Sequence, residues 1–367
     1  MIRFFCPGRT ELAGNHTDHQ KGRVMAAAID KGLLAEAEPN DDNIIRIQSE
    51  GFDPIEVSLD HLWPEEREAG TSIALVRGMA GILAEKGRTL RGFDAQIVSS
   101  LPAGAGLSSS AAFSVLAGYM IAHFADDLVL SPEDLARAAQ KAENRWFGKP
   151  CGLMDPMVCA LGGGIYMDCL ENRILPVDCD FDKLGLALCL TDTGGSHAHA
   201  TAAYAAIPAD MNAVAQVFEE KHLAKVRPMD FDLHWPEHEN ELSWMRARHF
   251  FDETHRVSQM ADALGLHDGQ RFMDLMNQSG RSSETLLQNI TAPDCGTFLA
   301  EALELSAQLL EGKGAWRVHG GGFAGSVQAL MPEQEFGAYQ DAMDALFEPG
   351  SCQRVHIYPR GVGQIED

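Results

Sequence analysis

The sequence predicts an α/β fold, and three stretches carry that expectation. Residues 1–60 are rich in strand and turn signals. A strand-like run, Phe93 to Val98, leads directly into a glycine–serine loop and then a long apolar segment. From Glu239 to Leu310 the spacing is largely helical, after which Gly320-Gly321-Gly322 and the strand-like run Ser326 to Met331 follow.

Each element has its own local reason. Ile44-Ile45-Arg46-Ile47 follows the turn signal Asp41-Asp42-Asn43 and reads as a strand. Ile73, Leu75, Val76, Met79, Ile82 and Leu83 recur at helical spacing up to Glu85. The stretch from Ser108 to Ala125 is apolar on all sides, which predicts a buried helix. Ser131-Pro132-Glu133-Asp134 supplies an N-cap and a first-turn proline for a helix running through Trp146. Gly162-Gly163-Gly164 closes a further helix and opens a strand, Ile165 to Asp168, and Leu186 to Leu190 reads as a buried strand. In the helical 239–310 region the charged residues are expected on outer faces. A soft boundary near residue 180 divides the chain into 1–180 and 181–367.

The composition is that of a globular protein with ample core material: 367 residues, 45% hydrophobic and 22% charged. A formal net charge of −24 argues against nucleic acid or an anionic membrane surface as a broad-contact partner. It also requires any anionic substrate to be held by a local site of amides, cations or Mg²⁺. The eight cysteines form no C-x-x-C pair and mostly sit in apolar stretches, as expected for reduced, buried thiols in a cytoplasmic protein. No apolar run approaches the ~20 residues of a membrane span, and the N-terminus lacks the features of a signal peptide.

Four segments carry chemistry. In Leu101-Pro102-Ala103-Gly104-Ala105-Gly106-Leu107-Ser108-Ser109-Ser110, backbone amides and hydroxyls can meet a phosphate at a helix start. The same run also fits a plain turn and N-cap. It matters because no G-x-x-x-x-G-K-[ST] is present. Pro7-Gly8-Arg9-Thr10-Glu11-Leu12-Ala13-Gly14-Asn15-His16-Thr17-Asp18-His19 gathers Arg, His and Asp around glycines, a set suited to polyol hydroxyls and to charge on a transferring phosphoryl group. His16, Asp18 and His19 lack helical ligand spacing and a fourth partner for a metal. Cys151-Gly152-Leu153-Met154-Asp155-Pro156 holds a lone carboxylate, either a helix N-cap or a group that orients or deprotonates a hydroxyl. His319-Gly320-Gly321-Gly322-Phe323-Ala324-Gly325 is either a tight turn or a place of close backbone approach to a ligand.

Taken in order, these segments resemble the galactokinase branch of the GHMP kinases. That family carries G-R-x-N-L-I-G-E-H-x-D-Y, P-x-x-x-G-L-S-S-S-A, C-G-x-M-D-Q and a late G-G-G-F-x-G. Arg246-Ala247-Arg248-His249 and Leu275 to Ser279 also look like its helical C-terminal region. The resemblance implies a ribosomal-protein-S5-like N-terminal half, an α+β C-terminal half and a cleft between them. It implies an ATP-dependent sugar 1-kinase, with galactose as acceptor, ATP as donor and Mg²⁺ as cofactor, and with no obligate protein partner. By the same resemblance Arg9 and Asp155 are catalytic. Asn15, His16, Asp18 and Tyr204, seven residues after His197, contact the sugar. Gly104, Ala105, Gly106, Leu107, Ser108, Ser109 and Ser110 cradle the ATP phosphates, and Ser108 or Ser109 with Glu143 serves Mg²⁺.

The departures are specific. Asn15 replaces the family Glu, His19 the Tyr, Pro156 the Gln, and the arginines after the sugar-contacting Tyr are absent from Ala205-Ala206-Ile207-Pro208. An amide at position 15 lessens repulsion of a C6 carboxylate, so a galacturonate or other galactose-derivative kinase is the alternative acceptor reading. A catalytically silent galactose sensor is the alternative of another class, disfavoured by the intact phosphate loop, Arg9 and Asp155.

Overall fold

The computed structural model describes residues 1–87, 89–101, 109–125, 129–148, 151–194, 201–292 and 295–366. Most of the phosphate loop, Gly104 to Ser108, and also His197 lie outside the described residues. Two β-sheets and a layer of helices organise the rest. The first sheet contains β1 (Ile2–Ala13), β2 (Arg23–Pro39), β3 (Ile44–Ser49), β4 (Ile55–Ser58), β5 (Phe93–Ser99), β6 (Gly164–Asp168) and β7 (Arg173–Val177). The second contains β8 (Leu186–Asp192), β9 (Ala315–His319), β10 (Ser326–Pro332) and β11 (Cys352–Val355), and a short β12 (Gly363–Gln364) returns to the first.

Among the described residues the first sheet runs β12-β1-β2-β5-β3-β4, with β6 beside β2 and β7 beside β6. The length of β2 explains this branching. Its first part, Arg23 to Ala27, pairs with β6, while Leu33 to Pro39 pairs with β5. The register of β1 against β2 shifts twice, between Pro7 and Arg9 and between Glu11 and Ala13. Such bulges bend a strand and re-aim its side chains, here on both sides of Arg9. Gly14 then leaves the strand at φ +97, where a Cβ would lie 2.5 Å from the Arg23 carbonyl oxygen. The second sheet is antiparallel in the order β11-β8-β10-β9.

Helices α1 (Ser72–Ala84), α2 (Ser109–Phe124), α3 (Pro132–Ala142) and α4 (Met154–Leu161) pack with the first sheet. The apolar run expected to form a core helix is α2, and Phe4 of β1 sits edge-on to its Tyr119, His123 and Phe124. Ser131 caps α3 by accepting the Asp134 N–H. The expected continuation to Trp146 is a single π-helical turn, Glu143–Phe147, closed by Gly148 at φ +83. That turn buries Glu143 on the side facing α2.

Helices α5 (Thr201–Val217), α6 (Pro228–His238), α7 (Leu242–Gly265), α8 (Gly269–Ser282), α9 (Phe298–Leu310) and α10 (Glu333–Leu346) complete the chain. One apolar core runs from the first sheet through α2 and α4 into α7 and α8. The expectation of charge on outer faces fails on α7. Arg246, His249, Glu253 and Arg256 recur at helical spacing and are buried: His249 and Glu253 meet the backbone of the loop that follows β1, Arg246 pairs with Asp210 and the Leu287 carbonyl, and Arg256 pairs with Glu253. Among the described residues the cysteines are free thiols and mostly buried, and no helix is long and apolar enough to cross a membrane.

Candidate active site

The site begins at the bulge in β1 and the first turn of α4. Arg9 and Asp155 are 146 residues apart in sequence. Arg9 Nε donates to Asp155 Oδ1 at 2.6 Å and Nη2 to Oδ2 at 2.8 Å, a bidentate pair. Burial alone would weaken the Arg9 charge, but the Asp155 carboxylate outweighs it and raises the guanidinium pKa. Asp155 does not cap α4, whose N-cap is Leu153. It stands in the first helical turn, where the helix dipole favours its negative charge.

The loop between β1 and β2 brings its polar groups beside this pair. Asp18 Oδ1 accepts the His19 N–H at 2.9 Å. Its other oxygen lies against Gly152, where an added Cβ would come within 2.5 Å of Oδ2. The first and third sequence motifs therefore meet at a residue that only a missing side chain allows. His16 takes the left-handed conformation at φ 59. Its Nε2–H donates to the Gly321 carbonyl at 2.9 Å. Burial, with the nearby His19, pushes its pKa down to about 3, so the ring is neutral and Nδ1 is a buried acceptor with no hydrogen-bond partner among the described residues. Tyr204 of α5 completes the cluster, its ring 5.0 Å from that of His16 and 6.0 Å from that of His19. Partial burial, and then the Asp18, Asp155 and Glu11 carboxylates, push the Tyr204 phenol pKa up, so it remains a neutral hydrogen-bonding group.

The fourth motif closes over this cluster. Gly321 lies against the Tyr204 ring, 2.5 Å from Cε2 to an added Cβ. Gly322 at φ +78 leaves no room either, since a Cβ would meet the Asn289 carbonyl oxygen at 2.1 Å. The close approach at these two glycines is to protein neighbours, Tyr204 and Asn289.

Asn15 departs from expectation. It is buried, and its amide is saturated by protein. Nδ2 donates to the Gly320 carbonyl and to Glu11 Oε1. Oδ1 accepts from Asn289 Nδ2 at 2.9 Å and from Ser283 Oγ. An amide has two donor hydrogens and two acceptor lone pairs, so none is left to read a C6 substituent directly. Asn15 therefore commits its amide to protein partners.

On the nucleotide side, Ser110 Oγ donates to Glu143 Oε1 at 2.9 Å. Ser109 and Ser110 open α2 directly after the undescribed loop. A buried carboxylate and a hydroxyl at a helix start are hard oxygen donors that suit Mg²⁺ shared with phosphates.

Sequence reasoning missed the support behind the loop. Glu253 accepts the Gly14 N–H at 3.1 Å and the Ser279 hydroxyl at 2.7 Å, and pairs with Arg256. His249 donates from Nε2 to the Asn15 carbonyl at 2.9 Å. Fully buried Arg317 pairs with Glu11 and donates to the Leu12 carbonyl. His319 Nε2 accepts from the Glu11 N–H and faces the Thr10 hydroxyl. The detectable signal was the polar spacing 246, 249, 253, 256 on α7, which a solvated helix face also produces.

Comparison with known proteins agrees with this geometry. Residues 2–39 match the galactokinase galactose-binding signature, and residues 74–163 match the GHMP kinases N terminal domain. A galactokinase of Actinobacillus pleuropneumoniae serotype 3 (strain JL03) is 32% identical over 347 residues, covering 90% of this chain and 85% of that protein. A galactokinase of Chloroflexus aggregans is 31% identical over 352 residues, covering 92% and 86%. The crystal structure of Lactococcus lactis galactokinase complexed with galactose superposes with a TM-score of 0.84 at 25% identity, covering 99% of this chain and 95% of that one. A sugar signature, a kinase domain and near-full-length similarity coincide on one chain whose Arg9, Asp155 and Asp18 converge, and the protein belongs to the galactokinase family of the GHMP kinases.

Proposed function

We propose that this protein is an ATP-dependent sugar 1-kinase that transfers the γ-phosphoryl group of ATP to the anomeric hydroxyl of galactose. The observation that carries the reading is the bidentate Arg9–Asp155 pair beside Asp18, His16 and Tyr204, in a chain of the galactokinase family.

In this reading Asp18 and Tyr204 hydrogen-bond sugar hydroxyls, and His16 Nδ1 accepts one more. Asp155 orients the anomeric hydroxyl and receives its proton as the new O–P bond forms and the bond from the γ-phosphorus to its bridging oxygen breaks. Arg9 fixes that carboxylate and stabilises charge on the transferring group. Phosphoryl transfer proceeds through a loose transition state, so positioning and charge neutralisation dominate over covalent help. Gly104 to Ser110 would cradle the ATP phosphates with backbone amides, and Glu143 with the adjacent serine hydroxyls would hold Mg²⁺. When bound, that ion neutralises phosphate charge. A local site of this kind is what a chain of net charge −24 needs to admit ATP. We also read the chain as halves 1–180 and 181–367 of a cytoplasmic protein, the division falling between β7 and β8.

The test is purified protein with Mg-ATP and a monosaccharide panel. ADP formation with galactose is expected. Absence of ADP with galactose, galacturonate, galactosamine and their N-acetyl forms overturns the proposal, and binding of sugar and ATP without turnover identifies a sensor.

A further inference from the structure

We infer that Asn289 is a positioning residue for the sugar: it orients the Asn15 amide and pins the Gly320–Phe323 loop against which His16 and Tyr204 rest. This rests on the sugar-kinase reading and adds to it a residue with no place in the four motifs. Asn289 follows the π-helical turn Ser283–Leu287 and its left-handed cap Gln288. It is fully buried and gives the glycine loop two kinds of contact. Its carbonyl accepts the Phe323 N–H at 2.6 Å, and its Nδ2 donates to Gly321 O at 3.3 Å and to Asn15 Oδ1 at 2.9 Å.

The direction of every amide in this relay is forced. Arg317 holds the Glu11 carboxylate, which can only accept from Asn15 when ionised. The Gly320 carbonyl can only accept too, so Asn15 must present Nδ2 to both. Its Oδ1 then faces Asn289, which must present a donor. Asn289 does so while leaving its own Oδ1 buried without a hydrogen-bond partner among the described residues. Buried acceptors are normally satisfied, so an amide that leaves one unmade marks a place where donors are required. The same amide reaches Gly321 O, the carbonyl that also receives His16 Nε2–H. Gly321 in turn is in contact with the Tyr204 ring. One side chain thereby sets the seats of both sugar-facing rings without touching the nucleotide side, where Ser110 and Glu143 lie.

The test is steady-state kinetics with thermal melting on Asn289→Ala and Asn289→Ser. Losing two neutral hydrogen bonds of about this strength predicts a galactose KM raised about tenfold in Asn289→Ala, with ATP KM within about twofold. Asn289→Ser, which keeps one donor, falls between it and the unaltered protein. If Asn289→Ala does not fold, Asn289→Ser is judged by the same split. In a cycle with Asn15→Ala the two effects on galactose KM are non-additive. A lowered melting temperature with an unchanged galactose KM, equal rises in both KM values, or strict additivity overturns the inference. Failure of the unaltered protein to form ADP with any sugar of the panel overturns the sugar-kinase reading instead, and is seen before any variant is made.

Discussion

Arg9 holds both carboxylate oxygens of Asp155, with the guanidinium edge on a bulged strand and the acid in the first turn of a helix. Two rigid elements thus fix one ion pair, and neither side chain is free to swing. A carboxylate so held is suited to orient a hydroxyl in the transition state.

Asp155→Asn therefore removes a proton acceptor while keeping shape. The expected outcome is a kcat lower by roughly 10²–10⁴-fold with galactose KM changed far less, which is the pattern of an interaction made in the transition state. Steady-state kinetics on galactose and ATP check it, and unchanged turnover removes Asp155 from the mechanism.

Gly321→Ala tests the seat of Tyr204. The φ of Gly321 lies outside the left-handed region, so alanine meets no backbone penalty, but its Cβ lands 2.5 Å from Tyr204 Cε2 and 3.0 Å from Cδ2. The ring must move. Overpacking of about 1–3 kcal/mol, taken out of sugar binding, lowers kcat/KM for galactose by roughly 5- to 150-fold. The melting temperature is expected to shift little, because the ring is partly exposed.

Glu253→Gln tests the support behind the sugar loop. The carboxylate is fully buried, and its pKa lies at about 2 because Arg256, His249 and Arg317 overcome the effect of burial. Leaving Arg256 without its carboxylate partner is expected to cost about 3–5 kcal/mol of stability. Denaturant unfolding measures the loss, and a change under about 1 kcal/mol contradicts the buried-pair reading.

Stability is expected to fall with acid earlier than carboxylates alone would dictate. His16 has a folded-state pKa of about 3 against an ordinary 6.5. Burial lowers His249 as well, and it lowers His319 with help from Arg9 and Arg317. The unfolded chain binds these protons first, so stability is complete above about pH 6.5 and is lost as pH falls toward 3. Each group contributes up to about 1.4 kcal/mol per pH unit in that window. Glu253, depressed rather than desolvated into neutrality, adds its own loss only below about pH 4.5. Denaturation midpoints at pH 7.5 and 5.5 check this, and His16→Asn should flatten the slope by about one proton.

Where local pattern decides structure, the sequence was legible. The spacing of Ile73 to Leu83, the cap at Ser131 and the run from Phe93 correspond to α1, α3 and β5. The edge strand β7, with its mostly exposed Arg-Ile-Leu-Pro-Val, and β9 were not legible. In β9 a fully buried arginine breaks the apolar pattern, and its carboxylate partner Glu11, 306 residues away, with the Leu12 and Val318 carbonyls makes that placement tolerable. At the site, Arg9, Asp155, His16, Asp18 and Tyr204 do converge. The saturation of the Asn15 amide is not legible, because its partners include the Ser283 and Asn289 side chains and the Gly320 carbonyl, all far away in sequence. No local signal names such partners. The inward stripe on α7 was hidden for the same reason, since its partners include the distant backbone of Gly14, Asn15 and Leu287.

The long sequence separations inside the site have a consequence during synthesis. Glu11 waits for Arg317, and Thr10 for Gln328, 318 residues later. At the ~5–20 residues per second of translation, β1 spends roughly 15–60 s on a nascent chain before these two polar partners exist. Throughout that interval Glu11 cannot be withdrawn from water except as an uncompensated charge. The loop that follows β1 therefore leaves the ribosome well before the residues that complete its shape.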